Sequence, residues 1–211
     1  YFNERAIATQ QTGFVLIAQM RSWLPDAVGG ILWFGVDDAN TAVLTPMYTS
    51  ITEIPECYRR GNGSMTEFSW TSAFWIHNWV ANMAYNRYEP MIRDIRPVQK
   101  ELEDSYVDLV KNTDAKALEL LKSSPAQATA YLTEVCGKVA NEATARWKKL
   151  GEYLLVKYMD GNVKKEKDGK FEENGYGQIV SPNFPGYSQE YYDQVAKSEE
   201  AKHLEVPKKD K

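Results

Sequence analysis

Thiols, imidazoles, paired carboxylates and a guanidinium at a strand end are where this chain could do chemistry, and the sequence holds few of them. Cys57 and Cys136 are the only cysteines, and His77 and His203 the only histidines. A thiol attacks as its thiolate, which needs a base or a cation beside it. Cys57 sits instead in Glu53-Ile54-Pro55-Glu56-Cys57-Tyr58, where carboxylates raise a thiol's pKa rather than lower it. Cys136 falls on the apolar face of a predicted helix, a packing position. These cysteines and histidines share no metal-ligand spacing, so neither a metal nor any other cofactor is expected. Two separate buried thiols is the plainer reading of the cysteines, with one disulfide left open to them in an oxidising compartment. His77 stands alone among aromatic residues and reads as a partly buried polar tip rather than a general base, and His203 lies in a charged tail.

Asp37-Asp38 could bind a metal or exchange protons, but adjacent residues on a strand face opposite ways, so at most one readily enters a given site. The competing reading is a turn at a strand end. Arg21 follows an apolar run and precedes Ser22-Trp23-Leu24-Pro25. A guanidinium there needs an acceptor: a substrate carboxylate or developing oxyanion, or a salt bridge to Asp26, Asp37 or Asp38. Trp70, Phe74, Trp75, Trp79 and Tyr85 could stack on a sugar, but their helical spacing favours a packing face. Gly29-Gly30 lacks the spaced glycines and the Lys-Ser/Thr end of a phosphate loop.

The elements that must position these groups fall into two parts. Residues 13–20 form a nearly continuous apolar run, expected to be a strand covered on both faces, and residues 25–30 break it. Residues 31–36 read as a second strand, 37–40 as a turn and 41–46 as a third strand ended by Pro46; the short connections predict antiparallel pairing. Residues 51–69 form a loop-rich link with Pro55 and Gly61-Asn62-Gly63-Ser64. The apolar period then becomes helical: 69–87, 98–112, 114–123 and a long helix over about 126–159, with Pro90 and Pro97 interrupting or starting helical stretches. Beyond residue 160 the chain is dense in charge, Gly, Pro and Asn and reads as an extended arm, with one short helix over 189–202 and a mobile end at 206–211. The expected fold class is α+β, divided into a β segment (1–50), a link (51–69), a helical region (70–160) and an arm or tail (161–211).

Composition narrows the partners. With 211 residues, a net charge of -4 and bases interspersed with acids, the chain lacks a phosphate-tracking surface, so nucleic acid is not expected. Its longest apolar runs, 13–18 and 31–36, are too short to cross a bilayer as helices, so no membrane partner is expected. Tyr1 has no Met and no leader-like run around it, and the visible start reads as a cut inside a longer chain.

Several stretches resemble one family. Thr9-Gln10-Gln11-Thr12-Gly13-Phe14, then Ala18-Gln19-Met20-Arg21-Ser22-Trp23-Leu24-Pro25 with Gly29-Gly30, then Leu32-Trp33-Phe34-Gly35-Val36-Asp37-Asp38-Ala39 resemble the late-sequence signature of the N-terminal-nucleophile (Ntn) cysteine dipeptidases, the bacterial family related to secernins. Glu67-Phe68-Ser69-Trp70-Thr71-Ser72-Ala73-Phe74-Trp75, Asn78-Trp79-Val80-Ala81-Asn82 and Arg146-Trp147-Lys148-Lys149-Leu150-Gly151 resemble its C-terminal part, and the likeness weakens after about residue 159.

The resemblance implies an αββα fold in the intact enzyme and a mature N-terminal Cys whose thiol attacks the peptide carbonyl with its own α-amino group as base. Position 1 is Tyr and no Cys lies in the first fifty residues, so this stretch is expected to be the C-terminal, inactive part of a bacterial cysteine-type dipeptidase. Its implied partners are the N-terminal part of the same protein and, in the intact enzyme, a dipeptide. Arg21 is carried over as a substrate-pocket residue, because related Ntn hydrolases place an arginine late in the sequence near the active site; Asp37 and Asp38 fall in the shared motif as further pocket candidates. An extracytoplasmic parent, periplasmic or secreted, is expected, with a cytoplasmic one left open. The alternative function is a helical interaction module without catalytic activity, and a homo-oligomer is left open with it.

Overall fold

The computed structural model describes residues 6–180 and 186–198. His203 and the predicted mobile end at 206–211 lie outside them. The chain divides into two units, Tyr1–Val156 and Lys157–Lys211.

The first unit is α+β. Strands β1 (Phe14–Met20), β2 (Gly30–Val36) and β3 (Thr45–Tyr48) form an antiparallel sheet in the order β1-β2-β3. The β1–β2 register runs from Phe14 opposite Val36 to Met20 opposite Gly30, and in the second pair Trp33 lies opposite Pro46. The one-turn helix α1 (Asp26–Gly29) fills the corner between β1 and β2. β3 starts later than the sequence suggests, because residues 38–42 first make a turn in which Ala42 N–H reaches Asp38 O at 2.8 Å. Pro46 therefore sits inside the strand, where the sheet order makes β3 an edge and a missing N–H costs no ladder bond on its free side.

Three helices follow: α2 (Ala73–Asn86), α3 (Tyr88–Ser123) and α4 (Pro125–Tyr158). α3 merges the two helices expected at 98–112 and 114–123. Its buried residues Met91, Ile95, Gln99, Tyr106, Val110, Thr113 and Ala117 recur at three-, four- and seven-residue intervals, so one apolar stripe passes through both Pro97 and the polar 111–114 stretch. Pro97 forfeits a single i→i−4 bond, and burial of that stripe outweighs it. Pro90 lies in the first turn, where its missing N–H is one of the helix's free donors anyway. Ser124 alone joins α3 to α4, and Arg146 of α4 reaches Glu101 of α3 at 3.7 Å.

The core gathers Val28, Ile31, Met47 and Tyr48 from the sheet side with Val110 and Ala117 of α3 and Leu132, Cys136 and Ala140 of α4. β1 is left out of it. The expectation that β1 is covered on both faces is not met among the described residues: Phe14 is 60% exposed, Leu16 49%, Ile17 54% and Met20 75%. The physical reason is its edge position, since the core helices pack over β2 and β3 and, among the described residues, only β2 pairs with β1.

The second unit holds a short hairpin, β4 (Glu166–Lys167) with β5 (Lys170–Phe171), and helix α5 (Gln189–Lys197). Asp168 and Gly169 take positive φ of 53° and 73° at the hairpin tip, as a two-residue turn requires. Ser188 caps α5 by accepting from Tyr191 N–H at 3.2 Å.

Candidate functional site

The chemistry-bearing residues are set by three local arrangements in the first unit. At the β1–β2 corner, Arg21 is buried and all three of its guanidinium nitrogens donate. Nη1 and Nη2 both donate to the Asp114 carboxylate of α3, the second at 3.2 Å; Nη2 also donates to Val28 O, and Nε to Gly29 O at 3.4 Å. Tyr48 of β3 donates its hydroxyl to the same carboxylate at 2.6 Å. The acceptor is thus none of Asp26, Asp37 or Asp38: it is an aspartate 93 residues away in sequence. Arg21 ties the corner to α3 and β3.

At the other end of β2 the chain leaves the strand through Asp37, whose φ of 67° lies in the left-handed region. Asn and Asp tolerate that region better than other side-chain-bearing residues. Asp37 is 1% exposed; Oδ1 accepts from Asn78 of α2 at 2.9 Å, and Oδ2 has no hydrogen-bond partner. Burial raises the Asp37 carboxyl above its ordinary value, against the lowering effect of the Asn78 bond. Asp38 is also buried but satisfied, with Tyr85 donating to Oδ1 and Thr41 to Oδ2, each at 3.1 Å. The two carboxylates therefore share a turn fastened to α2, and neither meets Arg21.

The third arrangement concerns the cysteines, which are both free thiols and buried. Burial is the main cause that raises the Cys57 thiol, with Glu56 a smaller contribution in the same direction. Burial likewise pushes Cys136 up to about 11. Cys136 acts as a fastener between elements. Its Sγ accepts from Tyr48 N–H at 3.3 Å and donates to Pro46 O at 3.5 Å, closing the free edge of β3 with α4. Neither thiol has the ionisation a nucleophile needs.

His77 is more deeply buried than a polar tip. Its ring stacks on Trp147 with centroids 5.0 Å apart and planes at 15°, and desolvation pulls its pKa down to about 3, too low for a base at neutral pH. The aromatic run packs on itself, with Trp70 edge-on to Trp79 at 5.3 Å and Phe68 at 4.6 Å from Trp70. Gly151 belongs to the same contact, since a Cβ there would lie 2.5 Å from the Trp79 ring. Among the described residues no group of three His, Cys, Asp or Glu side chains is arranged to hold a metal, and no helix is long and apolar enough to cross a membrane.

A cavity of about 350 Å³ opens between the end of β2, the loop after Pro55 and the start of α2. The loop is shaped by Gly61 and Gly63, whose φ values are 94° and 80°, and is pinned where Trp75 Nε1–H donates to Ser64 O at 3.0 Å. The turn residues Gly61-Asn62-Gly63-Ser64 line the cavity together with Arg60 and Ser72, neither of which stands out in the sequence as a site candidate. The local signal was the glycine pair before an aromatic helix start.

A small antiparallel sheet backed by long helices, with both thiols buried, places the first unit in the α+β class. The sequence profile of peptidase family C69 matches residues 2–101. The chain is 31% identical over 143 residues to a probable dipeptidase of Latilactobacillus sakei, covering 66% of this chain and 28% of that protein. It is 28% identical over 155 residues to a probable dipeptidase B of Lactococcus lactis subsp. lactis (strain IL1403), covering 72% and 31% respectively. The chain thus spans less than a third of the length of these relatives.

Proposed function

We propose that this chain is one section of a cysteine dipeptidase, contributing sheet strands, the helices that brace them and part of the substrate pocket, while the nucleophile comes from another section of the same polypeptide. The observation that carries the reading is the C69 match across the sheet and α2, a region whose one cysteine, Cys57, is buried with its thiol held above the ordinary value. The exposed apolar β1 supports it: an edge strand with bulky residues on both faces suits a place between further strands and a covering layer. In the assembled enzyme an N-terminal Cys would attack the scissile carbonyl while its own α-amino group takes up the thiol proton and passes it to the departing amine as the C–N bond breaks; water would then hydrolyse the thioester acyl-enzyme, freeing the acid and the thiol. Asp37, buried with one carboxyl oxygen held by Asn78 and the other unpartnered, is the positioning residue at that end of the sheet.

The test joins this chain to the segment that precedes it in the polypeptide. The assembled protein is expected to hydrolyse a dipeptide such as Ala-Phe, this chain alone is not, and Cys-to-Ala at the mature N-terminus abolishes the activity. Activity surviving that change overturns the mechanism.

A further inference from the structure

The cavity beside the 61–67 loop combines features that none of the catalytic candidates uses. Its walls are apolar and aromatic, with Phe34 and Val36 from β2 and Phe74 and Trp75 from α2. Arg60 and Ser72 add a cation and a hydroxyl, both with bonding capacity to spare. Arg60 is exposed on the cavity lining and makes no ion pair or hydrogen bond to any described residue, whereas its neighbour Arg59 is already paired with Glu56 at 3.1 Å.

Ser72 stands at the N-cap of α2 and is 5% exposed, yet its hydroxyl makes no capping bond and no other hydrogen bond. The first bond of α2 runs from Ile76 N–H to Ser72 O at 3.1 Å, so the N–H groups of Ala73, Phe74 and Trp75 precede the helical ladder. A hydroxyl left unpartnered on the cavity wall, on a residue otherwise buried and beside helix N–H groups that precede the ladder, suits an incoming acceptor, and the helix dipole favours a negative one. The site is also preformed. A Cβ on Gly63 would sit 2.9 Å from Trp75 and 3.0 Å from Glu67 O, so the loop packs onto the helix start too closely to shift freely.

We infer that this cavity seats the C-terminal residue of a peptide, its apolar side chain against the Phe34, Val36 and Trp75 walls and its free α-carboxylate received by Ser72, the α2 N-terminus and Arg60. The inference rests on the dipeptidase reading for its choice of peptide, and it assigns that enzyme a preference for an apolar or aromatic C-terminal residue with an unblocked carboxylate. Charge selects the ligand: these groups offer positive potential and hydrogen-bond donors, so a neutral amide end forfeits the charge-assisted bonds that a carboxylate makes.

Isothermal titration calorimetry of this chain with Ala-Phe and with its C-terminal amide tests it. The acid is expected to bind roughly tenfold more tightly than the amide, since bonds to a charged group exceed neutral ones by about that factor. Arg60→Gln and Ser72→Ala are each expected to shrink the preference, and Arg60, being exposed, can be changed without disturbing the fold. Equal affinities for acid and amide, no binding of the acid at millimolar concentration, or an unchanged preference in both variants overturns the assignment. The assay involves no turnover, so an assembled protein that binds with this preference but hydrolyses nothing sinks the dipeptidase reading alone. An active assembled enzyme whose acid-over-amide selectivity is untouched by Arg60→Gln sinks the pocket alone.

Discussion

Replacing Arg21 by Met keeps the aliphatic stem and removes the charge, which isolates the ion pair that fastens the β1–β2 corner to α3. In the native protein Arg21 makes a two-pronged pair with Asp114, whose side chain is 17% exposed, and supplies a donor to Val28 O. Breaking a buried pair from one side costs about 3–5 kcal/mol because the remaining charge is stranded. Residual exposure and the Tyr48 bond at 2.6 Å soften the loss for Asp114, while Val28 O adds roughly 1 kcal/mol as an abandoned acceptor. Gly29 O keeps the Arg21 backbone N–H at 2.9 Å and adds little. The net expectation is a loss of about 3 kcal/mol in urea unfolding, with m unchanged. Asp114→Asn should lose a similar amount, and the double variant should recover about 2 kcal/mol relative to the sum of the two. A loss below about 1 kcal/mol for Arg21→Met, the level of an exposed pair, or additive single effects, refutes the reasoning and returns Arg21 to the substrate pocket.

Cys136→Ala leaves Tyr48 N–H and Pro46 O at the β3 edge without their partner, so chemical denaturation should show a loss of about 2 kcal/mol even though no catalytic thiol is removed. Gly63→Ala should lose about 1–3 kcal/mol, from forcing a left-handed residue and from the close approach to Trp75, whereas Gly61→Ala should cost only the backbone strain because nothing lies within 4 Å of its Cβ. The pH dependence has two opposed parts. His77 stays neutral in the fold down to about 3 while the unfolded chain takes up its proton near 6.5, so its contribution is complete above 6.5 and is lost on acidification at about 1.4 kcal/mol per pH unit. Asp37, raised by burial, works the other way, its penalty entering as pH climbs above the unfolded value of 3.8. Stability measured from pH 7 to 4 should therefore fall less steeply in His77→Phe than in the native chain, and Asp37→Asn should gain stability relative to the native chain at about pH 7 but not at about pH 3.5.

The two apolar strands and their antiparallel pairing were legible in sequence because each bulky run ends at a turn signal, and Gly30–Val36 is nearly the run read there. The split of α3 was a misreading of local signals: Pro97 and the polar stretch near Asn112 look like boundaries, but the stripe from Ile95 and Gln99 to Val110 and Ala117 continues through both. Partner choice was the least legible part. Nothing near Arg21 in sequence points to Asp114, and nothing near Cys136 announces that its thiol closes a strand edge. The same holds for Ser72, whose missing cap bond exists only once the loop and α2 are in place. The dipeptidase likeness came from ordered motifs, not from any catalytic constellation, because the described residues contain none with an ionised nucleophile.

The polypeptide assembled from this chain and its preceding segment is treated with iodoacetamide under native conditions, and dipeptide hydrolysis is followed alongside mass mapping of the alkylated thiols. The expected result is inactivation in step with labelling of a cysteine outside residues 1–211, with Cys57 and Cys136 unlabelled while the protein stays folded. Loss of activity in step with labelling of Cys57 or Cys136 would contradict the account.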